Sequence, residues 1–287
     1  MAVESKPSSP PAESIGAVGG LRLPPIGFGT YQLNGAAGVD AIVTAISNGY
    51  RLLDSAVNYE NEGTVGVAVR ASGIPREQLI VTSKLPGRHH RYDQALATIE
   101  ESVYRTGLEW IDLYLIHWPL PRLDRYVEAW RALITARERG IVRHIGVSNF
   151  LPEHLQRLVE ETGVQAEVNQ IEMHPYFPQI EALAYHRDHR IAVQAWSPLG
   201  RGTDLLTHPT LLEIAARHGV SPARIVLAWH TALGAIPLPK AASAARQREN
   251  LDLSSFALSE QDMDRITAMG RADGRVANQD PATHEEF

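Results

Sequence analysis

The sequence predicts a single (β/α)8 barrel of the TIM type, because eight short apolar segments alternate with longer amphipathic segments along 287 residues. Such alternation is typical of parallel strands joined by right-handed helical crossovers. The length fits one eight-fold barrel, and no change in composition marks a second domain. The pattern alone leaves an open, doubly wound sheet as the alternative.

The predicted strands are short runs rich in aliphatic and β-branched residues. They span 26–30, 51–55, 79–84, 111–118, 142–149, 166–172, 191–197 and 235–240. Helical patterns between them include 93–107, 125–140 and 151–163, and Gly140 and Gly163 follow the last turns of two as C-capping signals. Ser221 before Pro222 predicts the start of another helix.

Both ends of the chain are predicted to add elements to the barrel. Residues 1–15 are rich in Ser and Pro, which predicts a disordered leader before a single domain over 16–287. A β-hairpin is expected between Leu21 and Leu33. A final helix is predicted over 259–270, and the polar segment 274–287 is a candidate to fold over the mouth of the barrel.

Composition excludes several classes of function. The net charge of −6 argues against general affinity for nucleic acid, and the absence of cysteine excludes disulfides, thiolate metal sites and cysteine nucleophiles. No apolar run approaches the roughly 18 residues that span a bilayer. Pairs such as His89 with His90, or His186 with His189, lack a third ligand, so no metal is predicted. We expect a cytoplasmic protein that does not bind membranes.

Ionisable residues close three successive predicted strands. Asp54 lies near the end of the second strand, Lys84 ends the third and His117 lies at the end of the fourth, while Tyr59 follows Asp54 in the next loop. The C-terminal ends of barrel strands converge on the face that carries catalysis. The sequence therefore predicts an active site built from these four side chains.

The residue types indicate proton donation to a carbonyl oxygen. A tyrosine phenol has a pKa near 10, and a lysine ammonium beside it would lower that pKa. Asp54 would pair with Lys84, because an unpaired buried ammonium is costly, and His117 would orient the carbonyl oxygen. A Schiff-base aldolase with Lys84 as the nucleophile is an alternative from another enzyme class.

Eight segments in order resemble the aldo-keto reductase family, from Gly27 to Asn250. They are GFGTYQLN, LLDSAVNYENEGTVG, VTSKL, DLYLIHWP, GVSNF, VNQIEMHP, QAWSPLGRG and PKAASAARQREN. The resemblance implies NADPH-dependent reduction of aldehydes and ketones to alcohols, with Tyr59 as proton donor in a tetrad with Asp54, Lys84 and His117. It is closest in character to bacterial members that act on keto sugars, diketones and small aldehydes.

The resemblance also implies a cofactor site. Its residues are Thr30, Tyr31, Ser148, Asn149, Gln170, Trp196, Ser197, Leu199, Gly200, Lys240, Arg246, Glu249 and Asn250. Ser148, Asn149 and Gln170 would bind the nicotinamide amide, Trp196 would stack on its ring, and Lys240 and Arg246 would clamp the 2′-phosphate. Ala241 departs from the family pattern, in which a hydroxyl residue commonly follows the lysine, so weaker use of NADH is also expected.

The substrate pocket is expected to have aromatic walls. Tyr31 and Trp118 would line it beside His117, and Tyr92 is a further candidate. Most members of the family are monomers, and we expect the same here. A cofactor-binding barrel with a regulatory or vestigial catalytic role is the alternative outside catalysis.

Overall fold

Eight parallel strands form the barrel in the computed structural model, which describes residues 15–286. A two-stranded antiparallel hairpin, β1 (Ile15–Gly16) and β2 (Arg22–Leu23), precedes it. The barrel strands are β3 (Phe28–Gly29), β4 (Leu52–Asp54), β5 (Ile80–Leu85), β6 (Ile111–Ile116), β7 (Val142–Ser148), β8 (Val168–Glu172), β9 (Ala192–Trp196) and β10 (Ile236–Pro237). Each overlaps one predicted strand, so the predicted elements are confirmed.

Backbone hydrogen bonds between the first and last barrel strands close the sheet. The strands follow one another in chain order from β3 to β10. The N–H of Gly27 donates to the carbonyl of Pro237 at 3.0 Å, and the N–H of Gly29 donates to that of Pro239 at 3.1 Å. A closed ring of this kind excludes the open-sheet alternative.

Helices connect the strands on the outside of the barrel. They are α1 (Gly35–Asn48), α2 (Glu62–Ala71), α3 (Tyr92–Thr106), α4 (Tyr126–Glu138), α5 (Pro152–Thr162), α6 (Ile180–Asp188), α7 (Pro209–His218), α8 (Pro222–Ala232), α9 (Ala244–Leu251) and α10 (Glu260–Thr267). The Ser221 side chain caps α8 as predicted, accepting from the N–H of Arg224. Within residues 15–286, no helix has the length and apolar character needed to cross a membrane.

The hairpin lies earlier in the chain than predicted and closes the end of the barrel opposite the strand C-termini. Its turn contains Gly19 and Gly20, whose φ values of 79° and 83° suit glycine, whereas the prediction placed the hairpin between Leu21 and Leu33. Leu21 and Leu23 pack with aliphatic side chains inside the barrel. The prediction of a hairpin is confirmed, but its position was wrong.

The C-terminal segment after α10 returns to the catalytic end of the barrel. Gly274 allows this path, because a Cβ atom there would lie 1.9 Å from the carbonyl oxygen of Tyr176. Farther along, Glu285 and Glu286 contact loops at the barrel mouth. Of the predicted leader, only Ile15 falls within the described residues, and it belongs to β1.

Candidate active site

A buried ion pair forms the inner end of the site. Lys84, on β5, is completely buried, and its Nζ lies 2.8 Å from the carboxylate of Asp54 at the end of β4. The same ammonium donates to the carbonyl oxygen of Ser55 at 2.8 Å. Burial disfavours the charged amine, but Asp54 and Tyr59 outweigh it and raise the pKa of Lys84. The ammonium is therefore a fixed positive charge.

Asp54 is anchored by a second neighbour across the barrel. The amide nitrogen of Gln170, on β8, donates to Asp54 Oδ1 at 2.8 Å and to Gln194 Oε1 at 2.8 Å. The hydroxyl of Thr30 donates to the backbone carbonyl of Asp54 at 2.7 Å. The contact with Gln170 satisfies the buried carboxylate, and the contact with Thr30 holds the backbone of Asp54 in place.

The phenol of Tyr59 lies at the open side of this ion pair. Its hydroxyl accepts from Lys84 Nζ at 3.4 Å, and the ammonium lies 4.8 Å from the ring centroid. Burial raises the pKa of Tyr59 above 10, and Lys84 opposes that rise. Lys84 lowers the pKa of Tyr59, as predicted. The predicted net lowering of this pKa was wrong, because the effect of burial is larger than that of Lys84. Tyr59 is protonated at neutral pH and can act as a donor.

His117 follows β6 and faces Tyr59, with the two ring centroids 6.0 Å apart. Its Nδ1 lies 2.7 Å from Oε1 of Glu286 in the C-terminal segment. The next residue, Trp118, is 5 % exposed, and its ring packs against His284 of the same segment at 4.4 Å. The C-terminal segment is therefore part of the site.

A cavity of about 540 Å³ opens over these groups at the C-terminal ends of the strands. Its lining includes Asp54, Tyr59, His117, Trp118, Tyr31, Ser148, Asn149, Gln170, Trp196, Ser197, Leu199 and Lys240 among the predicted residues. Gln32, Arg201, Gln279 and Glu286 also line it. The volume exceeds the needs of a small carbonyl compound and leaves room for part of a larger ligand.

The wall opposite Tyr59 combines amide groups with a flat aromatic ring. Asn149 accepts from the indole nitrogen of Trp196 at 2.8 Å and donates to the carbonyl of His117 at 3.0 Å. Asn149 and Ser197, directly after β7 and β9, have φ values of 63° and 48°. Residues other than glycine seldom adopt this left-handed backbone conformation, and those that do cluster at functional sites.

Several predicted cofactor residues do not line the cavity. Thr30 is completely buried and its hydroxyl donates to the carbonyl of Asp54, so it does not border the pocket as predicted. Gly200 is not part of the lining, and a Cβ atom there would lie 2.8 Å from the side chain of Leu205. On α9, beyond the cavity rim, Arg246 is exposed, Glu249 is half-buried and Asn250 is buried. Tyr92 donates to Thr135 on α4 and lies away from the pocket.

The residues that local patterns missed come from the C-terminal segment and from loops. Glu286, Asn58 and Arg201 contact groups of the site, and the guanidinium of Arg201 lies 4.8 Å from the ring of Tyr31. Arg201 belongs to the matched segment QAWSPLGRG, so its place at the site could have been predicted from the sequence. The segment 274–287 is a predicted candidate to fold over the mouth, but Glu286 itself carried no signal, because its contacts depend on how this irregular segment folds back.

The arrangement fits a nicotinamide dinucleotide. The wall of Ser148, Asn149 and Gln170 offers amide and hydroxyl groups, Trp196 offers a flat ring, and the cavity runs on past Ser197 and Leu199. Exposed Lys240 at its rim and Arg246 on α9 supply the cations that a phosphate needs. Among residues 15–286, no group of three or more histidine and carboxylate side chains is arranged to hold a metal ion.

The two histidine pairs have other contacts. His186 is buried, and its Nε2 lies 2.8 Å from the Asn169 amide nitrogen. His189 stacks on Tyr185 at 4.0 Å between centroids. His89 Nδ1 lies 2.8 Å from the hydroxyl of Thr98, and burial lowers the pKa of His90 to about 4.

Comparisons with known proteins agree with this geometry. The model of the Aldo/keto reductase family matches residues 25–271. The chain is 53% identical to 2,5-diketo-D-gluconic acid reductase B of Corynebacterium sp. over 261 residues, which cover 91% of this chain and 94% of that protein. It is 40% identical to glyoxal reductase of Bacillus subtilis, covering 90% of this chain and 92% of that protein.

Solved structures give the same result. An aldo/keto reductase from Brucella melitensis superposes with a TM-score of 0.85 at 42% identity, covering 89% of this chain and 98% of that one. A Bombyx mori aldo-keto reductase in complex with NADP superposes with a TM-score of 0.86 at 33% identity, covering 93% of this chain and 95% of that one. The predicted resemblance is confirmed: this chain belongs to the aldo/keto reductase family.

Proposed function

We propose that this protein reduces aldehydes and ketones to alcohols with NADPH, using Tyr59 as the proton donor. One observation carries the proposal: the phenol of Tyr59 lies 3.4 Å from the buried ammonium of Lys84 and lines a cavity beside His117. Bound NADPH supplies a hydride ion to the carbonyl carbon. The protein must then deliver a proton to the carbonyl oxygen and stabilise the charge that develops there.

The tetrad divides these tasks. Tyr59 donates its proton, and the ammonium of Lys84 stabilises the phenolate left behind. Asp54 keeps that ammonium in place, because a buried lysine without a counter-ion would be strongly disfavoured. His117 orients the carbonyl oxygen from the other side of the cavity. Asp54 and Lys84 lie on β4 and β5, His117 lies directly after β6, and Tyr59 lies in the loop that follows β4, which fixes their mutual distances.

Support for NADPH comes from the cavity wall and from the two cations near α9. The Bombyx mori relative was solved in complex with NADP. We propose that Lys240 and Arg246 hold the 2′-phosphate, and that Glu249 and Asn250 approach the adenine. NADH lacks that phosphate and is the weaker alternative cofactor.

Small neutral carbonyl compounds suit the pocket. Aromatic rings from Tyr31, Tyr59 and Trp118 line it together with polar groups from His117 and Gln279. Relatives named for glyoxal and methylglyoxal reduction act on small dicarbonyl compounds. We also propose that the protein works as a cytoplasmic monomer, which the absence of cysteine suits.

The geometry does not favour a Schiff-base aldolase. A lysine nucleophile must lose its proton and reach the substrate carbon. Lys84 is completely buried, holds its proton tightly and donates to Asp54, Ser55 and Tyr59. Treatment with borohydride in the presence of a carbonyl substrate should leave no adduct on Lys84.

Replacement of the proton donor is the direct test. Tyr59→Phe should reduce kcat/KM for a small aldehyde by about 10²–10⁴-fold, the usual contribution of general acid catalysis. NADPH oxidation at 340 nm measures the loss, and NADPH binding followed by tryptophan fluorescence should persist. Tyr92→Phe is the matched control, because the hydroxyl of Tyr92 donates to Thr135 on α4 and lies away from the cavity. Wild-type rates in Tyr59→Phe would refute the assignment, and no turnover in the wild type would leave the vestigial alternative standing.

A further inference from the structure

Glu286 places a carboxylate inside the cavity, where two hydrogen-bond donors and the imidazole of His117 surround it. Its Oε1 lies 2.7 Å from Nδ1 of His117 and accepts from Nδ2 of Asn58 at 2.8 Å. Its Oε2 accepts from the backbone N–H of Gly87 at 3.1 Å. The side chain is only 14% exposed. We call Asn58, Gly87 and His117 the carboxylate cradle.

The cradle is built from the barrel and not from the segment that fills it. Asn58, Gly87 and His117 lie in the loops that follow β4, β5 and β6, next to Tyr59 and Lys84. Arg88 donates to Oδ1 of Asn58 at 2.5 Å, which turns the amide nitrogen toward the carboxylate. The cradle would therefore keep its donors oriented if Glu286 left.

Position 87 also requires glycine for this contact. A Cβ atom there would lie 2.6 Å from the backbone oxygen of Glu286 and 2.5 Å from a methyl group of Leu120. Glycine thus lets the carboxylate reach the amide N–H. Burial opposes the charge of Glu286, but His117 and the other donors lower its pKa to about 2. The cradle accordingly holds an ionised carboxylate at neutral pH.

The contact between His117 and Glu286 uses only one of the two nitrogen atoms of the imidazole ring. Nδ1 of His117 faces Glu286, which leaves Nε2 to meet a carbonyl oxygen beside Tyr59. A substrate with a carbonyl group at one end and a carboxylate at the other presents the same chemistry as Glu286. Such a substrate can reach the cradle only by displacing the glutamate.

We propose that Asn58, Gly87 and His117 form a carboxylate-binding subsite of the substrate pocket, which Glu286 fills as an intramolecular competitor of acidic carbonyl substrates. The proposal rests on the proposed reductase function. Glu286 thereby determines specificity: it lowers the apparent affinity for carbonyl acids and leaves neutral carbonyl compounds at an advantage. Its removal opens the subsite to acids.

The specificity test compares two four-carbon aldehydes, succinic semialdehyde and butanal. Glu286→Ala should raise the ratio of kcat/KM for the acid to kcat/KM for the neutral aldehyde at least tenfold. Glu286→Gln keeps the side-chain volume and should raise the ratio in the same direction. Glu285→Ala is the matched control, because Glu285 accepts from the N–H of Arg122 and not from the cradle. An unchanged or lower ratio in both Glu286 variants would overturn the proposal.

A binding test separates this proposal from the reductase function, because it needs no turnover. Saturation-transfer NMR with acetate should show at least tenfold tighter binding to Glu286→Ala than to the wild type. The added substitution Asn58→Leu should abolish that gain, since it removes a donor of the cradle. Equal acetate affinity in wild type and Glu286→Ala, or retained affinity in the double variant, would overturn the subsite even if the enzyme reduces aldehydes.

Discussion

The inner end of the cavity and its rim are built on opposite principles. At the inner end, Asp54, Lys84 and Gln170 come from strands, are buried, and satisfy one another within 2.8 Å. Around the rim, Lys240 and, farther out on α9, Arg246 are exposed, and Glu286 arrives on an irregular segment. We infer from this difference that the two regions have separate functions: the inner end would fix a reaction geometry, and the rim would select which molecules use it.

The energetic consequences of a substitution should differ in the same way. Removal of one partner at the inner end leaves the other charge buried and unpaired, which usually lowers the free energy of unfolding by about 3–5 kcal/mol. Loss of the exposed charge of Lys240 or Arg246 leaves no such group, because water replaces the missing contact. Inner substitutions should therefore affect folding and catalysis together, and rim substitutions should affect binding alone.

The strongest test of this contrast is Lys84→Met. We expect kcat/KM to fall by about 10²–10⁴-fold, because the phenolate of Tyr59 loses its cation, and the free energy of unfolding to fall by about 3–5 kcal/mol, because Asp54 is left unpaired. Aldehyde-dependent NADPH oxidation and urea denaturation measure the two effects.

A double variant separates these two roles of Lys84. Lys84→Met with Asp54→Leu should regain most of the lost stability, since no buried charge remains, while its activity stays low. If the double variant recovered activity together with stability, the ion pair would be structural only.

The inner end was predictable from sequence, and much of the rim was not. Asp54, Lys84 and His117 close consecutive strands, and parallel strands in a barrel bring such ends together whatever the details of packing. Glu286 could not be predicted, because an irregular segment has no periodicity that fixes its path. The pKa of Tyr59 was misjudged for a related reason, because the extent of burial is a property of the folded site.

The cation clamp at the rim should affect cofactor choice and little else. Arg246→Ala should raise the KM for NADPH by about 10–100-fold, because a charge-assisted phosphate contact is lost, and should leave the KM for NADH and the stability close to wild type. Arg248→Ala, on the same helix α9 and also exposed, is the matched control. Equal losses with both cofactors would show that Arg246 does not contact the 2′-phosphate.

Docking of the C-terminal segment should have the smallest effect and should depend on pH. Burial lowers the pKa of His284, which packs on Trp118. Burial raises the pKa of Glu286, but His117 and the other groups around the carboxylate outweigh it and lower that pKa to about 2. Both groups bind protons less readily when docked, so docking is favoured at high pH. It should weaken first below about pH 6.5 as His284 takes up a proton, and again below about pH 4.3 as Glu286 does.

Tryptophan fluorescence can follow this docking through the contact between Trp118 and His284. A two-step change on acidification is expected, with the barrel still folded by far-UV circular dichroism. His284→Gln should remove the first step and retain the second, whereas Glu286→Gln should do the reverse. If the signal stayed constant down to the pH at which the barrel unfolds, the rim would be as firmly held as the inner end, and the contrast between the two regions would fail.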